Sequence, residues 1–279
     1  GIRDRSPSRG LGDVYKRQVH CLTLVEHLRT LGRDVIMPRY MTALRERKAD
    51  GSLLTEVDIV AQKWLMEKLP QLIDCPVLGE EMTQAEQHSL WLQGADGLWI
   101  IDPIDGTTNF INGIPFFGTS VAYYRNGLPQ IACVYNPAAD EAFYAERGQG
   151  SYMNGMSLPL RRPTAALADC VAGVDFKRVP KPLADRLATC PPYYSQRNFG
   201  SSAIEWCFVA AGRLDLYLHG GQMLWDYAAG RLVLEEAGGF MCSPEHDDFD
   251  QPDIWRRAVI GAAHPLAFRA WVDWIRAIP

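Results

Sequence analysis

The chain predicts a mixed fold, an α+β first half followed by an α/β second half. Three observations carry this. Cys21, Leu24, Val25, Leu28 and Leu31 recur at helical spacing. Strand-like runs at 117–124, 130–135 and 141–146 follow one another, the first two joined by Asn126-Gly127, so they read as an antiparallel meander. Near Arg161-Arg162-Pro163 the rhythm changes to strands alternating with helices, as in α/β proteins. The 279 residues suit one large domain or two ordinary ones, and 47% apolar content is enough for a substantial core. A formal charge of -5 argues against a nucleic-acid polymer or a membrane surface as partner. No apolar run approaches the ~20 residues of a membrane span. The seven cysteines are odd in number and dispersed, without zinc or redox-pair spacing, which fits buried free thiols in a reducing cytoplasm.

In order, residues 1–18 are basic, contain Ser, Pro and Gly, lack the apolar core of a signal peptide and resemble translated adaptor sequence. They read as a non-native leader, expected to be disordered. A helix follows from Val19, with Gly32 as its stop. Val35 to Lys48 reads as a second helix and 49–52 as a loop. Thr55 and Asp58 match a capping box before an amphipathic helix to about Leu69. Pro76-Val77-Leu78 is strand-like and ends in Gly79-Glu80-Glu81; by itself that acidic pair reads as solvated surface. Residues 83–95 read as a helix and loop. Beyond the meander, Gly148, Gly150 and Asn154-Gly155 mark turns. In the second half, strands near 170–174, 193–196, 214–218 and 258–260 alternate with helices near 181–189, 201–211, 226–237 and 264–277.

Two stretches carry chemistry. In Trp99-Ile100-Ile101-Asp102-Pro103-Ile104-Asp105-Gly106-Thr107-Thr108, an apolar strand delivers two carboxylates and is expected to stop at Pro103, which has no N–H. Gly106 permits a tight turn. Thr107 and Thr108 suit a helix start, where free N–H groups attract anions. Hard oxygen ligands therefore stand beside an anion cradle, as a divalent metal holding a phosphate requires. Taken alone, Asp-Gly here is equally a hairpin turn or a cap. In Leu224-Trp225-Asp226-Tyr227-Ala228-Ala229-Gly230, an aspartate opens a helix whose small residues permit close packing; alone it reads as an ordinary N-cap.

In this order these stretches resemble the inositol monophosphatase family, the lithium-sensitive, magnesium-dependent phosphatases that include bisphosphate nucleotidases, histidinol-phosphate phosphatases and fructose-bisphosphatases. Trp99 to Asn112 matches its first signature, and Trp225-Asp226 through Gly238-Gly239 its second. Gly79-Glu80-Glu81 and Thr55-x-x-Asp58 stand in the expected order. The resemblance implies a layered α/β/α/β/α sandwich: residues 19–160 as an α+β metal-binding half and 161–279 as an α/β half completing the active site. It implies a cytoplasmic, homodimeric, Li⁺-inhibited hydrolase of small phosphate monoesters. Inositol 1-phosphate is the leading substrate; 3′-phosphoadenosine 5′-phosphate, histidinol phosphate and fructose 1,6-bisphosphate are alternatives. A silent regulatory binding protein is the reading from another class.

The resemblance also implies roles. Glu80, Asp102 and the Ile104 carbonyl would hold one Mg²⁺. Asp102, Asp105 and Asp226 would hold a second, and Glu80 would help with a third. Thr107, hydrogen-bonded to Asp58, would activate water, with Glu80 part of the catalytic set. Gly106 and Thr107 would bind phosphate, with Ser201, Ser202, His219 and Asp226 on the substrate side and Arg197 as a further charge. Inositol-preferring members carry an acidic residue where this chain has His219, which would either contact a different polyol or second anion, or be structural.

Overall fold

A computed structural model of the chain describes residues 8–42, 45–47 and 53–278. Helix α1 (Ser8–Leu31) runs back into the stretch expected to be disordered. Once a helix is nucleated, each added residue extends it at little further cost. Cys21, Leu24, Val25, Leu28 and Leu31 are all buried. Gly32 does not stop the helix. It lies against Tyr135, where a Cβ would come within 2.6 Å of the ring, and the chain continues through a wider π turn and a 3₁₀ turn to Arg39.

The second helix expected at Val35 to Lys48 does not form. Pro38, inside the 3₁₀ turn, removes a helix donor. Beyond it, β1 (Arg45–Arg47) pairs antiparallel with β2 (Leu53–Thr55). The expected loop at 49–52 lies outside the described residues.

The next elements are α2 (Glu56–Leu72), β3 (Val77–Gly79) and α3 (Gln84–Gln93), as the patterning predicts. Strand β4 (Leu98–Asp105) corrects the expectation of a stop at Pro103. Its pairing with the following strand is interrupted between Asp102 and Asp105, and a proline is tolerated at such a bulge because no ladder hydrogen bond is asked of it. The Pro103 carbonyl accepts the Thr119 hydroxyl at 2.9 Å. After the short α4 (Thr107–Asn112) come β5 (Gly118–Arg125) and β6 (Leu128–Asn136). Between these two strands, Asn126 and Gly127 take φ of 52° and 72°, the left-handed pair a tight hairpin needs. Strands β7 (Glu141–Glu146), β8 (Ser151–Met153) and β9 (Met156–Ser157) complete a seven-stranded sheet in sequence order, antiparallel except for β3 with β4.

The second sheet has the order β11-β10-β12-β14-β13: β10 (Val171–Asp175), β11 (Ser195–Arg197), β12 (Leu216–Met223), β13 (Phe240–Cys242) and β14 (Arg256–Ala262). β10 is parallel to β11 and β12, while β14 is antiparallel to both its neighbours. The connections carry α5 (Lys181–Thr189), α6 (Ser202–Ala210) and α7 (Leu224–Glu236), and the chain ends on α8 (Pro265–Arg276).

Strand alternation sorts the side chains into three cores. Trp99, Ile101, Ile131 and Cys133 face α1 and α2. Their neighbours Leu98, Ile100, Ala132 and Val134 face α6 and α7, which Tyr217 and Val259 of the second sheet cover from the other side. Leu216, Leu218, Ile260 and Ala262 face α5 and α8. The result is a five-layer α/β/α/β/α sandwich. Each buried Leu, Ile or Val in these cores contributes roughly 1.5–3 kcal/mol. Among the cysteines, all free, Cys190 is exposed and Cys75 half-buried, and the rest are buried. Among the described residues no helix is long and apolar enough to cross a membrane.

Candidate active site

Strand β4 delivers Asp102 and Asp105 at its carboxyl end, and the first turn of α7 delivers Asp226. Oxygens of these three carboxylates lie within 4.8 Å of one another. Glu80, directly after β3, lines the same cleft, whose volume is about 850 Å³. The carboxyl ends of β10 and β12 close its far side, with Asp175 paired to His219 in register. The cleft thus lies where both sheets present strand ends, the usual position for ligands in such folds.

Each carboxylate is held by the fold. Asp102 Oδ1 accepts the Ile104 N–H at 3.0 Å. Asp105 Oδ2 accepts the Ser201 hydroxyl at 2.6 Å and the Ala203 N–H at 2.7 Å. Asp105 therefore caps α6 from another strand, and Ser201, expected on the substrate side, bonds this carboxylate. Asp226 is not an N-cap: it sits in the first turn and accepts the Met223 N–H at 2.9 Å.

The electrostatics call for a cation. Burial, and then repulsion from Glu80 and the other carboxylates, hold Asp102 well above the ordinary carboxylate range. Burial and then Asp105 do the same to Asp226. Asp105 is pushed up to about 6, burial outweighing its bonds to Ser201 and Ala203. Three convergent carboxylates that resist ionisation together fit a hard divalent ion, which prefers oxygen ligands and would relieve the repulsion.

Gly106, with φ of 90°, turns the chain from β4 into α4. A Cβ there would come within 3.1 Å of the Phe116 carbonyl, which any other residue would crowd. The first N–H groups of α4 have no partner inside the helix. Asn109 braces the turn, donating to the Phe116 and Phe199 carbonyls at 2.7 and 2.6 Å.

Thr107 and Asp58 are arranged differently from the expectation. The Thr107 hydroxyl donates to the Ile104 carbonyl at 3.0 Å, a local bond back to its own turn. Its single proton is therefore not on Asp58. Asp58 Oδ2 instead takes the N–H and hydroxyl of Thr55 at 2.8 and 2.6 Å, so the capping box is real.

His219 is buried. Its Nε2 lies 3.1 Å from Asp175 Oδ2, and its Nδ1 accepts the Gly221 N–H at 3.2 Å. Burial holds its pKa below the usual value, and with Nδ1 accepting the Gly221 N–H, it is Nε2 that carries a proton toward Asp175. Both nitrogens have protein partners, which favours the structural role. Burial pushes Asp175 up, but bonds from His219, Arg178 and the Lys177 N–H outweigh it, and it sits below the usual range. Ser202 lines the cleft, its hydroxyl 3.0 Å from that of Tyr217. Arg197 lies outside the cleft and bonds Ser195 and the Gln196 carbonyl.

Asp175, Lys177, Arg178, Glu205 and Arg256, none of them a candidate from sequence, also line the cleft. Glu205 was readable as one acid in the apolar run Ala203-Ile204-Glu205-Trp206. Burial raises it to about 8, so it is neutral, and it accepts the Phe199 N–H at 2.8 Å.

Fold and site together define a layered α/β/α/β/α protein with a cluster of three converging carboxylates beside the first turn of α4. The family model described as "Inositol monophosphatase family" matches residues 25–272. This chain belongs to that family. An inositol-1-monophosphatase of Mesorhizobium japonicum is 39% identical over 199 residues, 70% of this chain and 73% of that one. The Nus factor SuhB of Pasteurella multocida is 34% identical over 204 residues, 70% and 73%. The solved structure of a Thermotoga maritima IMPase superposes with a TM-score of 0.79 at 28% identity, covering 91% of this chain and 96% of that one. Family and relatives support a phosphatase.

Proposed function

We propose that the protein is a Mg²⁺-dependent hydrolase of small phosphate monoesters, inositol 1-phosphate being the first substrate to test. The observation that carries this is the convergence of Asp102, Asp105 and Asp226 within 4.8 Å beside the N-terminus of α4. Glu80, Asp102, Asp105, Asp226 and the Ile104 carbonyl are the groups that would hold Mg²⁺, two or three ions in all. Bound Mg²⁺ supplies Lewis-acid stabilisation of charge on the phosphoryl oxygens and leaving oxygen.

The chain's own residues do the rest. The Gly106 and Thr107 N–H groups orient the phosphate. Thr107 Oγ1, turned away from the Ile104 carbonyl, accepts a proton from the attacking water and passes its own to Asp58, in a direct in-line displacement. Ser201 holds Asp105 in place.

A panel of inositol 1-phosphate, 3′-phosphoadenosine 5′-phosphate, histidinol phosphate and fructose 1,6-bisphosphate, assayed with Mg²⁺, tests the reading. Phosphate release that stops on chelation supports it; none from any compound would contradict it. The alternative from another class is a catalytically silent regulatory binding protein. Four acidic residues converging on one cleft favour the enzyme, since a binding module has no need of all four. Li⁺ inhibition at millimolar concentration and a dimer on sizing are expected, and unchanged activity or a monomer would remove those two assignments.

A further inference from the structure

Glu80 lies one residue beyond β3. Its N–H donates to the Ile101 carbonyl at 3.2 Å, and the parallel register sets it beside Asp102. Two buried glutamines grip this turn from different helices. Gln62 stands on α2 one turn after Asp58, and its Oε1 accepts the Glu81 N–H at 3.0 Å. A Cβ on Gly79 would collide with that oxygen, so only glycine lets the amide in. Gln87 stands on α3, whose start is fixed by the capping box of Thr83 and Glu86. Its Nε2 donates to the Gly79 carbonyl at 3.0 Å and to the Glu80 carbonyl at 3.2 Å, one hydrogen to each. Met82 Sδ takes the Gly79 N–H at 3.3 Å. Every backbone N–H and C=O from the Gly79 N–H to the Glu81 N–H therefore has a partner.

An acidic pair on a solvated turn needs no such holding. Burying an amide is unfavourable unless its hydrogen bonds are made. Here two amides are buried, and both bond the backbone on either side of Glu80. Fixing that backbone confines the Glu80 carboxylate to the few places its own rotamers allow. Neither glutamine lines the cleft. We propose that Gln62 and Gln87 are positioning residues, which set the Glu80 carboxylate against Asp102 and thereby set the affinity of the cleft for Mg²⁺. This rests on the metal-dependent phosphatase reading and adds to it two residues that act only through Glu80.

Calorimetric titration of the folded protein with Mg²⁺, in the absence of substrate, tests it. Gln62→Met and Gln87→Met keep the shape of each side chain and remove its hydrogen bonds. Each is expected to weaken Mg²⁺ binding by about tenfold or more, as loss of a group behind a metal ligand commonly does. Gln62→Glu keeps the accepting oxygen and is expected to bind at least as tightly as the wild type. Leu69→Ala, at the far end of α2, is expected to lower the unfolding temperature with Mg²⁺ affinity unchanged, which separates positioning from general loosening. Wild-type affinity in either methionine variant overturns the proposal and leaves the phosphatase standing. So does an equal loss in Gln62→Glu and Gln62→Met, or a loss in Leu69→Ala as large as theirs. Should one methionine variant not fold, the other decides. Absence of Mg²⁺ binding in the wild type overturns the metal-dependent reading and the proposal with it.

Discussion

Asp105 does two jobs at once. It is one of three converging carboxylates, and it caps α6 through the Ala203 N–H. Ser201 is what orients it. Removing a partner behind a metal ligand commonly costs 10–100-fold in affinity or activity. Ser201→Ala is therefore expected to weaken Mg²⁺ binding by about tenfold or more, read by Mg²⁺ titration of activity; an unchanged titration would show that Ser201 only packs. A second consequence concerns pH. With its pKa raised to about 6, Asp105 keeps a proton in the folded metal-free protein at pH values where the unfolded chain has lost it. The folded state then binds more protons, so this group's contribution to stability is present at low pH and lost as pH rises from about 4 through 6. Protons also compete with the cation below about 6. Saturating Mg²⁺ should raise the Tm more at pH 7 than at pH 5, and an equal or opposite difference would contradict the assignment.

At the scale of elements, α6 and α7 form the middle layer, and their approach depends on small residues. A Cβ on Gly230 would collide with Trp206. Gly230→Ala is expected to destabilise the fold by about 1–3 kcal/mol, the usual cost of overpacking, measured by urea unfolding. No loss would mean that the helices part freely. This contact was legible in Ala228-Ala229-Gly230, and the main strands were legible in their alternation, because one face of each must meet a helix. What was not legible depends on partners. Arg45-Glu46-Arg47 carries no apolar signal and becomes a strand only by pairing with 53–55. Pro103 reads as a strand end unless the bulge opposite β5 is known. The carboxylates were legible because their order along the chain is specific. The basic residues lining the cleft were not: Lys177 and Arg178 lie far from Arg256 in the chain, and two separate strand ends bring them together.

At the scale of the molecule, the site spans both sheets. β4 of the seven-stranded sheet supplies Asp102 and Asp105, while α7, entered from β12 of the five-stranded sheet, supplies Asp226. Ser120 on β5 donates to the Trp225 carbonyl at 3.1 Å and holds that helix to the first sheet. A cation held by both halves stabilises the whole fold: at a hundred times its Kd, Mg²⁺ should add about 2.7 kcal/mol, visible as a higher unfolding midpoint. An unmoved midpoint would mean that the carboxylates do not close on the ion. The most direct test of the whole account is phosphate release from inositol 1-phosphate and the panel above, comparing wild type with Asp105→Asn. The asparagine oxygen can still accept from the Ala203 N–H, so the variant keeps its cap while losing the charge. The account predicts Mg²⁺-dependent release in the wild type and a loss on the order of a hundredfold or more in the variant, since a metal's charge stabilisation is worth several kcal/mol. Equal rates in the two proteins, or none in either, would contradict it.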